Sequence, residues 1–212
     1  VHLPGASAGP ALTSLDWNAS TGITQSPWTP TCGNGEDIVV IDIDNDNHSD
    51  VVSIAPGDDM VCIHKTNSTT GMLSNATSVS LTADLIAAQV GDVDGDGNAD
   101  ILSIHQGGIV SLRTYDGKNS NFKENTTLTV NANGTVMPTQ LTAMYADHFN
   151  GPQGDFSALV VDYTGHTSHV KWINNALALD IYSFDGLESE ITGADFDQDG
   201  DIDLFSSTMQ GF

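Results

Sequence analysis

Positive charge is the scarcest property of this chain: five lysines and arginines stand against 28 aspartates and glutamates, a formal net charge of −23 over 212 residues. A surface of that sign repels phosphate backbones and anionic headgroups, which excludes nucleic acid and anionic membrane as partners. Long apolar runs are missing too, and no stretch approaches the roughly eighteen residues of a membrane span. The chain begins at Val1 with neither an initiator Met nor a signal peptide, so a processed or trimmed chain is expected. Cysteine is reduced to Cys32 and Cys62. In an oxidising compartment these are expected to form a disulfide, the alternative being two buried thiols. H-E-x-x-H and P-loop motifs are absent, and the seven histidines (His2, His48, His64, His105, His148, His166, His169) are scattered. His166 and His169, three apart among Thr164, Thr167 and Ser168, read as a turn or exposed strand. The chain is therefore not expected to be an enzyme, and a hydrolase ranks last among its readings.

What the chain has in excess is aspartate, and it is ordered. Three ladders share one spacing: Asp42, Asp44, Asp46 and Asp50; Asp92, Asp94, Asp96 and Asp100; Asp195, Asp197, Asp199 and Asp203. Carboxylates at positions 1, 3, 5 and 9 of a nine-residue loop repel one another unless a cation sits between them. Hard oxygen donors in that number suit Ca²⁺, about three ions in all. Position 7 (His48, Asn98, Asp201) is expected to add a backbone carbonyl, as in an EF-hand loop. Position 6 is Gly97 and Gly200 in two copies and Asn47 in the third, residues that tolerate the positive φ of a sharp turn. An acidic Asp/Gly/Asn cluster is ordinarily a solvated turn, but three identical spacings, each followed by an apolar pair, argue against coincidence. Three bound Ca²⁺ would bring the formal charge from −23 to −17.

The EF-hand itself is excluded, because its bidentate Glu at position 12 is replaced by Ser53, Ser103 and Ser206. Short apolar runs flank each ladder instead, DIVVI before and DVVSIA after the first, which places the loop in a β-hairpin. Six N-x-S/T sequons, at Asn18, Asn47, Asn67, Asn75, Asn125 and Asn133, point to a secreted glycoprotein. Asn47 lies inside a ladder and is not expected to carry a glycan.

The ladders also count a repeat. Asp42 to Asp92 spans 50 residues and Asp92 to Asp195 spans 103, so a copy is missing near residue 145. It is found at Asp147 to Asp155, which keeps the acids of positions 1 and 9 but has Phe149 and Gly151 at positions 3 and 5, too few carboxylates for a metal. Each repeat continues with two further strand candidates, MVCIHKTN and MLSNATSVSL after the first, IVSLRTYDG and FKENTTLTV after the second, HVKWINN and ALDIYSF after the third. Four antiparallel strands per unit at this period indicate a propeller blade. The last unit stops after its second strand, whereas Leu15-Asp16-Trp17-Asn18 near the start resembles Val170-Lys171-Trp172-Ile173-Asn174 of the third repeat. The expected organisation is one all-β propeller domain of about four four-stranded blades over 1–212. Residues 32–85, 86–140 and 141–189 form three blades, and a fourth is split between 1–31 (third and fourth strands) and 190–212 (first and second). Unpaired edges at both halves demand a partner.

These loops and the V-x-W-x-x-N-like strand resemble the FG-GAP/VCBS-repeat family, the calcium-loop propeller blades also found in integrin α subunits. The resemblance implies a propeller whose ladder aspartates are calcium ligands. It departs from the family in encoding about four blades where seven are common. Three arrangements fit the split blade: closure within one chain, mutual exchange between two chains, or a head-to-tail filament. The expected function is a secreted, calcium-stabilised extracellular adhesion, recognition or structural module whose partner is a protein or glycan. A lectin is the rival, with Trp17, Trp28 and Trp172 as stacking platforms, although Trp17 and Trp172 read first as packing between sheets.

Overall fold

β-Branched and apolar residues are concentrated in short runs separated by Gly, Asn and Asp, and each run becomes a strand. The computed structural model describes residues 10–18, 20, 22–25, 28–116, 121–130, 140–149, 155–182 and 190–207. Residues 150–154 of the metal-less loop, His2 and Asn133 lie outside them, as do the side chains of Trp17, Asn18 and Asn125. Among the described residues the regular structure is strand, apart from single 3₁₀ turns at Pro56–Asp58 and Gln106–Gly108. The chain divides into two compact units, Val1–Asp42 with Asn47–Leu81, and Ile43–Asp46 with Thr82–Phe212.

The first unit holds a ribbon of β1 (Ala11–Leu12) with β4 (Thr29–Pro30), a hairpin of β2 (Leu15–Asn18) with β3 (Gly22–Gln25), and one complete blade. That blade is an antiparallel meander of β5 (Asp37–Ile41), β6 (Asp50–Ala55), β7 (Met60–His64) and β8 (Thr77–Ser80). The central strands are apolar on both faces: Val52, Ile54, Val61 and Ile63 are buried, and so are Ser53 and Cys62 opposite one another. Cys62 is bonded to Cys32, with a Cα–Cα distance of 5.7 Å and a sequence separation of 30. The expected disulfide is therefore present. Closing a loop of that length stabilises the fold by about 3 kcal/mol through the unfolded chain.

The second unit contains two complete blades and a half. β9 (Leu85–Gly91), β10 (Asp100–His105), β11 (Ile109–Asp116) and β12 (Asn121–Thr129) form one meander. β13 (Leu141–Asp147), β14 (Ser157–Asp162), β15 (Thr167–Ile173) and β16 (Ala176–Tyr182) form the next. β17 (Glu190–Ala194) and β18 (Asp203–Ser207) form a two-stranded hairpin. The first strand of each sheet lies beside its counterpart, β13 touching both β9 and β17, while the outermost strands β12 and β16 also meet. Sheets stacked face to face with their first strands adjacent are blades of a β-propeller. Their shared core brings Leu102, Ile104 and Leu112 of one blade against Met144, Val160 and Val170 of the next.

Close approach between these blades sets one strict requirement. A Cβ added at Gly91 would lie 2.2 Å from Cε2 of Phe156 and within 2.6 Å of two more of its ring atoms. Phe156 is 6% exposed and belongs to the inter-blade core, so its ring lies directly on the Gly91 backbone. The two half-sheets, β2–β3 and β17–β18, stand in the structure as separate two-stranded sheets. Gly91→Ala is expected to cost about 1–3 kcal/mol in urea unfolding, as overpacking does. Gly57→Ala, which meets nothing within 4 Å, should stay within about 0.5 kcal/mol of the parent.

Candidate metal centres

Each ladder occupies the connection between the first two strands of its sheet, β5–β6, β9–β10 and β17–β18. The local chain bends there because two positions per loop take positive φ. Position 6 does so in all three copies, Asn47 at 66°, Gly97 at 89° and Gly200 at 99°. Position 4 does so as well, Asn45 at 58°, Gly95 at 78° and Gln198 at 62°. Only the position 6 signal was expected. Asn45 and Gly95 carry the same sequence cue at position 4, whereas Gln198 gives no hint of it.

The acid at position 1 organises the turn. Asp42, Asp92 and Asp195 each accept a hydrogen bond from the backbone N–H of position 6, Asn47 at 2.8 Å, Gly97 at 2.9 Å and Gly200 at 3.1 Å. Asp92 accepts two more, from Gly95 and Asp96. The acid at position 9 works differently, because it is the first residue of the exit strand. Asp50 and Asp100 are 1% and 0% exposed. Asp100 accepts from the amides of Val93 and Asp94 across the loop and from Tyr115 on the third strand, at 3.1, 3.3 and 3.0 Å. Asp50 accepts likewise from Thr66, and Asp203 from Phe196 and Asp197. The ninth carboxylate is thus a brace between loop and sheet.

Carboxylate oxygens converge within 4.8 Å of one another in three groups: Asp42, Asp44 and Asp50; Asp92, Asp94 and Asp96; Asp195, Asp197 and Asp199. The first group takes positions 1, 3 and 9, the other two positions 1, 3 and 5. At position 7, the amides of Asn98 and Asp201 donate to the carboxylates of Asp96 and Asp199, at 2.8 and 3.0 Å, which orients position 5. His48, at the same position of the first loop, is half-buried. The third loop is exposed along Asp195–Asp201, unlike the first two.

Crowding and burial act on these acids together. Burial pushes the Asp100 carboxyl up to about 7, against the opposing pull of its backbone N–H donors, and Asp94 adds to the rise. Asp94 is raised by burial and by the charges of Asp96 and Asp92. Three or more hard oxygen donors, close together and repelling one another, fit a divalent cation and can bind metal.

The fourth copy has lost this arrangement. Its Asp147 accepts hydrogen bonds from the Tyr145 hydroxyl at 2.8 Å and from the His148 amide at 2.7 Å. Phe149, in place of the third-position acid, stacks edge-on against Tyr145 and His169, at centroid distances of 5.9 and 5.8 Å. An aromatic cluster stands where the other loops gather carboxylates. Asp155, the ninth-position acid, is exposed instead of bracing the sheet.

The remaining candidates separate by burial. Ser103, His105 and Ser111 form a hydrogen-bonded group of wholly buried side chains inside one blade, with Oγ–Nε2 distances of 2.9 and 3.1 Å. His166 binds Thr164, and His169 binds Ser157 at 2.8 Å. Trp28 is 47% exposed, whereas Trp172 is half-buried against the inter-blade core.

No curated protein matches the chain. Solved structures do, among them a protein from Lactobacillus plantarum that is 14% identical, with a TM-score of 0.58. The match covers 94% of this chain and 61% of that one, so the chain spans less than two thirds of its length. At that identity the likeness speaks to fold alone. The FG-GAP-like repeat matches residues 42–103, from the first acid of one ladder through the next ladder and into β10. That stretch holds two of the three ladders and three strands of a blade, and it is similar to the FG-GAP-like repeat.

Proposed function

We propose that each ladder holds one Ca²⁺ and that the propeller works outside the cell as a calcium-stabilised adhesion, recognition or structural module. The observation that carries the reading is the convergence of three carboxylates in each of three equivalent hairpins. Ca²⁺ would supply charge neutralisation and nothing reactive. Asp42, Asp44 and Asp50, then Asp92, Asp94 and Asp96, then Asp195, Asp197 and Asp199 would hold it. The unfolded chain cannot assemble these groups, so the ion stabilises the native state by mass action.

Three further observations support the module reading. The Cys32–Cys62 disulfide fits an oxidising compartment. Asn67 and Asn75 are exposed sequons. The buried Ser103–His105–Ser111 group has no exposed atom to offer a substrate. The half-blades carry exposed apolar residues, Leu15 and Ile23 on β2–β3, Leu204 and Phe205 on β18. Pairing of such halves, within a chain or between copies, would complete a fourth blade and cover them.

Excess chelator is expected to lower the melting temperature strongly. At a calcium concentration a hundredfold above Kd each ion contributes about 2.7 kcal/mol, so loss of three should shift Tm by more than about 10 °C. Asp94→Ala and Asp197→Ala should each reproduce part of that shift and Asp155→Ala little of it. A melting curve indifferent to chelator would sink the calcium reading. Sedimentation equilibrium tests the half-blades. Closure within one chain predicts a monomer at all concentrations, whereas a mass that rises with concentration shows exchange between copies.

A further inference from the structure

We propose that a cavity beside the second ladder takes a basic side chain, a lysine or arginine presented by a protein partner. This deepens the recognition reading by giving the partner a chemistry. The cavity measures about 260 Å³ and lies between two successive loops of the second unit. Asp92 and Asp94 of the second ladder line one part of it; His148, Asp155 and Phe156 of the metal-less loop line another; Trp172 of β15 completes the wall. That volume lies below the roughly 300–1,000 Å³ of pockets for drug-sized ligands, and it suits a single side chain.

The lining decides the ligand's charge. Asp92, Asp94 and Asp155 line the space, and among the described residues that line it there is neither lysine nor arginine. A divalent ion in the second ladder neutralises only half the charge of its four aspartates, and Asp155 adds another, so the cavity stays negative with the ladder filled. Asp155 differs from its counterparts: Asp50 and Asp100 are buried braces at 1% and 0% exposure, while Asp155 is exposed at the cavity. The metal-less loop thus turns its ninth acid outward, and among the described residues no group of three acids converges around it.

The aromatic groups add selectivity. Phe156 is held rigidly on the Gly91 backbone, and His148 stands edge-on to it at a centroid distance of 5.4 Å. Trp172 is fixed against the inter-blade core. Rigid rings beside carboxylates form a cage for an ammonium or guanidinium group, where a cation–π contact adds to the ion pair. The −23 formal charge steers such a ligand toward the protein at low ionic strength.

Titration calorimetry of the whole chain in saturating calcium provides the test, with penta-lysine as probe. The same peptide acetylated at every lysine serves as the neutral control, together with a panel of methyl glycosides. Binding of penta-lysine that weakens with added salt, is absent for the acetylated peptide, and falls about tenfold in Asp155→Asn and in Trp172→Ala is expected. Trp172→Phe, which keeps a ring in place, should retain part of the affinity and guards against a loss through misfolding. Penta-lysine binding indifferent to Asp155→Asn and to Trp172→Ala would reduce the effect to general surface charge and overturn the assignment. So would no binding, or a methyl glycoside that competes for the cavity. Melting in chelator is read separately, so an unchanged curve with lysine binding intact removes the calcium reading and leaves this one.

Discussion

Like charges forced together at the head of each hairpin are the constraint on which the rest of this structure depends. An aspartate at position 1 accepts the amide of position 6, and that bond requires the chain to turn through two left-handed residues. The ninth aspartate closes the figure by gathering amides from the loop and from the neighbouring strand. Hydrogen bonding therefore shapes the loop before any ion is considered. Its consequence is electrostatic: carboxylates crowded and partly buried, with Asp100 raised to about 7. A cation relieves that cost where a proton otherwise would.

The metal-less loop shows what the hairpin retains without the ladder. Phe149 replaces an acid, and the site fills with the rings of Tyr145 and His169 in place of charge. The first strand and the exit strand still pair, β13 with β14 from Leu141 to Asp147, with one register shift between Leu141 and Ala143. Stacked rings need no ion, and beside them Asp147 is held by the Tyr145 hydroxyl and the His148 amide. Its neighbour benefits: Phe156, just before the exit strand, lies on the Gly91 backbone and packs into the core shared by two blades.

Charge and packing thus divide the labour between the two ends of each blade. Apolar central strands such as β10, buried along its whole length, supply the stability common to all propellers. The acidic loops supply what is particular to this chain, a run of negative sites on rigid hairpins. A surface with five basic residues in 212 attracts positive charge, and the proposed cavity would give that attraction a shape.

The sequence by itself determined the all-β repeat of four-stranded sheets, the ladder positions and the loss of the third-position acid at Phe149, and it made a disulfide between two scarce cysteines the leading expectation. Each depends on spacing along the chain: strand periods, loop length and residue type are local properties that survive without coordinates. It also located the left-handed residue at position 6, because Gly and Asn advertise that conformation. Gln198 at position 4 shows the limit, since tertiary context imposes a positive φ there on a residue that does not prefer it. Only the tertiary structure decided which carboxylates converge. The first loop gathers the acid of position 9 where the others gather that of position 5, a difference that the letters do not show. The same holds for Gly91 and Phe156, 65 residues apart in sequence, whose contact depends on how two sheets stack. Trp172 and Asp155 share a cavity with the second ladder for that reason too, since non-local packing places side chains that no spacing relates.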